Sequence, residues 1–229
     1  MATKRQGRQG TQQRHTGHGT MGTRYNAIAG SSAERLAALS DGLFAVAMTL
    51  LVLDLRVPAM EAIHGEADLR HALIGLAPRV LIYLMSFLTL GIFWVGQQTQ
   101  LNFVARSDRT LSWLHLAFLF SVSLMPFSTS LMAEYIAYRT ALLVYWFNIL
   151  LLGVVLYLTW RYAVRAGLTS AEVTPMVERS VVRRIFIAQG LYGFGALLCL
   201  HSTYWSIGFI FLVQAIYAIG PRTGPLSRI

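Results

Sequence analysis

Long apolar segments without charged side chains constrain this sequence more than any other feature. A helix needs about 20 mostly apolar residues to cross the hydrocarbon core of a bilayer. Six segments meet or approach that length, and we place them at 36–57, 72–97, 111–132, 140–162, 181–201 and 203–219. Because a spanning backbone must satisfy its own hydrogen bonds in lipid, the sequence predicts an all-α integral membrane protein with six transmembrane helices.

The composition excludes several other classes of protein. Hydrophobic residues make up 55% of the 229-residue chain and charged residues 13%, which is too apolar for an ordinary soluble domain. The single cysteine, Cys199, rules out an intramolecular disulfide and a Cys-X-X-Cys metal site. The sequence shows no metal-ligand cluster and no nucleophile beside a base, so we expect neither an enzyme nor a cofactor.

The positive charges predict the orientation of the chain. Of the 19 Lys and Arg residues, 15 lie in the N-terminal region, the second and fourth loops and the C-terminus. Three lie on the other side, at Arg56, Arg70 and Arg139, and Arg79 falls within the second predicted span. By the positive-inside rule both termini are cytoplasmic, in agreement with an even number of spans. We therefore interpret the net charge of +9 as a topology signal, with no nucleic-acid partner.

The chain divides into three regions. Residues 1–33 are rich in Gly, Gln, Thr and Arg without apolar periodicity, which predicts a disordered basic cytoplasmic tail. Residues 34–220 form the transmembrane domain, and 221–229 form a short cytoplasmic C-terminal tail. The basic segment 161–184 fixes orientation and also suits contact with anionic headgroups, so we expect membrane lipids as partners.

The first span, "RLAALSDGLFAVAMTLLVLDLRVP", separates two kinds of residue. At 100° per residue, Val46, Leu50 and Leu53 fall within about 60° of one another, and Thr49 lies at the edge of this stripe. Asp41 lies about 140° from Val46, so it should face other helices of the same subunit. The stripe fits either ordinary helix packing or a ring of apolar side chains that closes a pore by dewetting.

The same span resembles the first helix of the TMEM175 family of potassium channels, in its short prokaryotic form. The family motif is an Arg, three residues, and then Phe-Ser-Asp-Gly. It matches Arg35, Ser40, Asp41 and Gly42, and Leu39 replaces the Phe.

Two further segments are similar to the family, within a resemblance that covers residues 34–220. In "FWVGQQTQ", Phe93 and Trp94 match, while Gln97 and Gln98 replace a pair of His residues. The third span ends in "PFST", close to the Pro-Phe-Pro-Thr turn of the family, and His115 stands where the family often has Asn.

The resemblance implies a K⁺-conducting tetramer in a prokaryotic plasma membrane, with the first helix of each subunit lining the pore. K⁺ is then the permeant ion, and no Thr-Val-Gly-Tyr-Gly filter is present. The implied constriction is Val46, Leu50 and Leu53, with Thr49 giving a weak K⁺ preference. Val46 stands where the family often places the narrowest Ile ring, so the narrowest point could shift to Leu50.

The resemblance also implies an interhelical network that is separate from the pore. Its expected members are Arg35, Ser40, Asp41, Gly42, Trp94, Gln97 and Gln98. Replacing the His pair by Gln preserves hydrogen bonding but predicts the loss of a titratable group from this network. For His115 itself we favour a buried, hydrogen-bonded role over proton relay.

Two alternative functions stay open at this point. A secondary transporter coupled to protons or ions would need a midplane binding site, often with broken helices and inverted repeats. A membrane enzyme would need supporting residues around a pair such as Asp41 and His115. The sequence shows neither set of features clearly.

Overall fold

The chain is α-helical throughout the part that the structure describes. The structure is a computed structural model, and it describes residues 33–219. Apart from Ala33, both predicted tails lie outside this range. In chain order the helices are α1 (Ala33–Leu51), α2 (Glu66–Gly75), α3 (Ala77–Asn102), α4 (Arg109–Ser123), α5 (Met125–Glu134), α6 (Arg139–Arg165), α7 (Pro175–Leu197) and α8 (Thr203–Ile219). Short 3₁₀ turns follow α1 and α7 at Val52–Asp54 and Leu198–Leu200, and a third lies at Met60–Ala62.

Five helical segments are long and apolar enough to span a membrane, and α8 is a shorter apolar helix. The five are Ala33–Asp54, Ala77–Asn102, Arg109–Glu134, Arg139–Arg165 and Pro175–Leu200. At 1.5 Å per residue, the 17 residues of α8 extend about 25 Å, slightly less than the roughly 30 Å hydrocarbon core. The predicted all-α membrane fold is confirmed.

The second span differs from its predicted position. Its helix, α3, begins at Ala77, and the start of the predicted 72–97 segment belongs to the separate helix α2. Pro78 explains the boundary, because proline is favoured in the first turn of a helix and disfavoured inside one. Arg79 therefore lies at the end of the span, where its Nη2 is 2.5 Å from Glu134 Oε2. It joins Arg56, Arg70 and Arg139 on the less basic side.

The third span is divided into two helices. Asp108 caps α4 by accepting a hydrogen bond from the backbone N–H of Leu111 at 2.8 Å. α4 ends at Ser123, and α5 begins two residues later with Pro126 in its first turn. Proline has no N–H to donate and its ring crowds the preceding turn, which accounts for the break.

Buried polar side chains join the helices at the centre of the bundle. The central helix α6 packs against α4, α5 and α7, while α3 packs against α1, α5 and α8. The fully buried hydroxyl of Tyr145 on α6 lies 3.3 Å from Ser86 Oγ and 3.2 Å from Thr89 Oγ1 on α3. Thr129 of α5 donates to Ser86 at 2.8 Å, and Gln214 of α8 donates to Thr89 at 2.6 Å. These bonds link four helices in a region where lipid offers no partners.

The last two helices form a close hairpin around Gly195. Ser206 Oγ of α8 donates to the Gly195 carbonyl of α7 at 2.5 Å. A Cβ added at Gly195 would lie 2.7 Å from Ile210 Cγ1 and 3.1 Å from Phe209 Cδ1. Glycine is therefore required by the distance between the helices.

We expect Gly195→Ala to destabilise the protein by roughly 1–3 kcal/mol, because the added methyl group overpacks the α7–α8 contact. The measurement is thermal unfolding of the purified protein in detergent. Gly193→Ala is the matched control, since a Cβ there meets no atom within 4 Å. Equal melting temperatures for the two variants would contradict the close-packing interpretation.

Candidate functional site

The two faces of α1 have opposite environments. Ser40, Phe44, Ala47 and Leu51 are buried against the rest of the chain. On the other side the predicted stripe is exposed, with 57% of Val46, 45% of Leu50 and 70% of Leu53 accessible. The stripe therefore points away from its own subunit. On a membrane helix such a face contacts either lipid or another chain.

Thr49 lies on the same exposed face as the stripe. Its Oγ1 donates to the backbone carbonyls of Ala45 at 3.0 Å and Val46 at 2.8 Å, a local bond that is common for Thr in helices. Because the hydroxyl proton is used within the helix, the oxygen lone pairs stay available outside it. The arrangement suits accepting a bond from water or contacting a cation.

Asp41 connects α1 to α3. Its Oδ1 accepts hydrogen bonds from Trp94 Nε1 at 2.8 Å and from Gln98 Nε2 at 2.6 Å. Hydrogen bonds to an ionised carboxylate are stronger than those between neutral groups. The structure thus brings together three of the residues assigned to the interhelical network, and Asp41 faces a neighbouring helix.

Ser40, Gln97 and His115 form a second, buried cluster that joins α1, α3 and α4. Ser40 Oγ lies 2.8 Å from both Gln97 Nε2 and His115 Nε2. His115 is 2% exposed, and its Nε2 is also 3.1 Å from the Leu36 carbonyl. Because a carbonyl oxygen only accepts, this geometry assigns a proton to Nε2.

The predicted loss of a titratable group from this network is wrong. Gln97 does stand where the family has a His, but His115 supplies an imidazole from α4, with its Nδ1 3.4 Å from Gln97 Nε2. Against the pattern that the resemblance implies, with a His on the second span and an Asn on the third, the imidazole and the amide have exchanged helices. The two positions are 18 residues apart, and no periodic pattern in the sequence connects them.

The two remaining predicted network residues, Arg35 and Gly42, are exposed on α1. Arg35 is exposed in the first turn of α1. Gly42 lies on the exposed face, and a Cβ there would meet no atom within 4 Å, so nothing within the described chain requires glycine. Nowhere in residues 33–219 do three or more His, Cys, Asp or Glu side chains group closely enough to hold a metal ion.

A contact at the other end of the first span was not predicted. Asp54, in the 3₁₀ turn after α1, accepts a hydrogen bond from Ser130 of α5. The first span is therefore attached to the third at both ends, through His115 on α4 and Ser130 on α5. In the sequence Ser130 is an ordinary polar residue, which gave no signal for this contact.

Comparison with known proteins connects this site to a family. A family model described as the endosomal/lysosomal potassium channel TMEM175 matches residues 35–126, the range that contains the whole network. A potassium channel of Streptomyces collinus is 36% identical over 166 residues, covering 70% of this chain and 78% of the relative. A potassium channel of Chamaesiphon minutus is 31% identical over 193 residues, covering 82% and 95%. The chain belongs to the TMEM175 family.

The fold of this TMEM175 protein also matches a solved relative. The crystal structure of a lysosomal potassium-selective channel TMEM175 homolog from Chamaesiphon minutus superposes with a TM-score of 0.70 at 29% identity. The match covers 82% of this chain and 96% of that one. The human relative, named an endosomal/lysosomal proton channel, is 26% identical over 178 residues, which are 34% of its length. The resemblance stated from the motifs is confirmed.

We expect Asp41→Ala to destabilise the protein by about 1.5–3 kcal/mol, because it leaves the Trp94 and Gln98 donors without their charged acceptor. Asp41→Asn should cost less, since its amide oxygen can still accept. The measurement is the melting temperature in detergent. Glu172→Ala, in an exposed loop position, is the control. If Asp41→Ala melted like this control, the bonds to α3 would contribute nothing.

Proposed function

We propose that this TMEM175 protein is a K⁺ channel whose pore is lined by α1 from several identical subunits. The observation that carries the proposal is the outward exposure of Val46, Leu50 and Leu53 on a helix whose opposite face is hydrogen-bonded to α3 and α4. Membership of the family and the names of the bacterial relatives support the choice of ion.

One α1 helix cannot enclose a pathway, so several subunits must share the pore, and we propose four because the family resemblance implies a tetramer. Around a fourfold axis, each exposed stripe residue becomes a ring of four side chains. The Val46 and Leu50 rings are separated along α1 by about 6 Å. Leu53 follows in the 3₁₀ turn Val52–Asp54, where the rise is about 2 Å per residue, so its ring lies about 5 Å farther along. The resulting constriction is roughly 10 Å long, and its three rings are apolar.

An apolar constriction controls ions through their hydration. A K⁺ ion must keep most of its water or replace it with other oxygen atoms, and narrow apolar rings exclude water. Small changes in ring diameter therefore switch the passage between dry and conducting states. In the proposed pore Thr49 lies between the Val46 and Leu50 rings, where its oxygen is the nearest side-chain substitute for water. With no Thr-Val-Gly-Tyr-Gly loop in the sequence, we expect modest K⁺ selectivity.

Purified protein in liposomes should pass K⁺ down its gradient without a gradient of any second solute. The measurement is K⁺ efflux from KCl-loaded vesicles, with protein-free vesicles as the control and Na⁺ substitution to measure selectivity. Flux that occurred only with a co-transported or exchanged ion would instead support a secondary transporter and overturn the channel proposal.

We expect Leu50→Ala to raise K⁺ flux or reduce the preference for K⁺ over Na⁺, because smaller side chains widen one ring. Leu143→Ala is the matched control, since Leu143 on α6 has a similar exposed fraction, 43% against 45%. The change at α6 should leave flux unchanged. If both variants and the wild type had the same K⁺ flux and selectivity, the placement of Leu50 in the pore would be wrong.

The detergent-solubilised protein should have the mass of four chains. The measurement is light scattering coupled to size exclusion, corrected for bound detergent. A monomer that still conducts K⁺ in liposomes would contradict the shared pore. Each subunit contributes one α1 stripe, and one stripe cannot surround a pathway.

A further inference from the structure

A cleft with a volume of about 340 Å³ opens between α3, α6, α7 and α8, away from the α1 stripe. It lies at the Arg-rich end of the bundle. Thr99 and Gln100 in the last turn of α3 border it, as do Arg183 and Arg184 of α7 and Tyr217 near the end of α8. The positive-inside rule assigns this end to the cytoplasmic leaflet.

The inner wall of the cleft is apolar. Ile92, Phe93 and Gly96 of α3 face Ile185 and Ala188 of α7 across it. Phe93 is also part of the main hydrophobic core, so the wall continues into the packed centre of the bundle. Such a surface accommodates hydrocarbon and gives no favourable contacts to a small hydrated ion.

Buried polar atoms line the same cleft without a hydrogen-bond partner among the described residues. They are Oε1 of Gln100, Oε1 of Gln189 and the hydroxyls of Tyr192 and Tyr217. Gln100 is 5% exposed, so bulk water does not reach it freely. Leaving such atoms unpaired is costly in a membrane protein. The two glutamine oxygens of these four atoms can only accept, so they need a ligand or water that donates hydrogen bonds.

The charge of the cleft is positive. The lining includes Arg183 and Arg184, and none of its residues is acidic. The acidic residue nearest in sequence on α7, Glu178, has its carboxylate 2.8 Å from Arg161 Nη1. Both guanidinium groups that line the opening would attract an anion, and the described lining residues include no carboxylate.

We propose that this cleft binds an anionic glycerophospholipid whose headgroup carries hydroxyl groups, such as phosphatidylglycerol. The arginines suit the phosphate, which guanidinium groups bind through charge-assisted hydrogen bonds. The headgroup hydroxyls donate to the glutamine oxygens, and an acyl chain covers the wall formed by Ile92, Phe93 and Ile185. One lipid molecule would then bind to all three features of the cleft: the positive charge, the unpaired acceptor atoms and the apolar wall.

The test measures binding of phosphatidylglycerol to the delipidated full-length protein, through the ligand-dependent rise in melting temperature and through native mass spectrometry. We expect phosphatidylglycerol to stabilise the wild type and phosphatidylcholine or inorganic phosphate to do so much less. In the double variant Arg183→Gln/Arg184→Gln, affinity should fall roughly tenfold or more. Arg165→Gln/Arg179→Gln is the matched control, because it removes two charges near the same end from residues outside the lining.

A second variant separates a site from general attraction to a basic surface. Ala188→Phe keeps both arginines but fills the apolar wall, so it should also lose phosphatidylglycerol binding while remaining helical and monodisperse. Normal binding by Ala188→Phe, or an equal loss of binding in both double variants, would show that phosphatidylglycerol does not bind in this cleft. If inorganic phosphate stabilised the protein as much as phosphatidylglycerol does, the proposal that the ligand is a lipid would be wrong. Neither readout depends on ion flux, so the outcome is independent of the proposed pore.

Discussion

The structure depends on pairing polar side chains where lipid provides no partner. Few such side chains lie in the spans, and most of them connect one helix to another. Ser40 and Asp41 bind groups on α3 and α4, and Tyr145 bonds to α3 from the centre of the bundle. These bonds fix how the helices are rotated. With one face of α1 held in this way, the direction of its opposite face follows, and that face carries the stripe.

The sequence predicted the features that follow from local chemistry. Hydrophobic length located the spanning helices, and the helical period located the stripe on α1, which the structure places on an exposed face. Boundaries were less well predicted, because the apolar run from 72 onward continues through the junction between α2 and α3. Two contacts between distant residues were missed. Neither the Ser130–Asp54 bond nor the Gln97–His115 contact has a periodic signature in the sequence.

The departures from the family motif are informative when they are considered in three dimensions. Considered alone, Gln97 indicates the loss of a His, and His115 indicates a buried, hydrogen-bonded residue in the third span. Placed side by side, they preserve both an amide and an imidazole around Ser40. The residue types are thus retained while the helices that contribute them differ. Single positions in a motif are therefore a weaker guide to this network than its combined set of hydrogen-bonding groups.

The division of the third span has a mechanical consequence for α1. The first span is attached near its start to α4, through Ser40 and His115, and at its end to α5, through Asp54 and Ser130. A rod fixed at both ends bends most near its middle. Here the middle is the region of Val46 and Leu50, where apolar packing of Phe44, Ala47 and Leu51, rather than a described side-chain hydrogen bond to another helix, holds α1 to the bundle. A small rotation of α4 relative to α5 about Leu124 would bow α1 outward there, and would change the diameter of the proposed pore without sliding the helix.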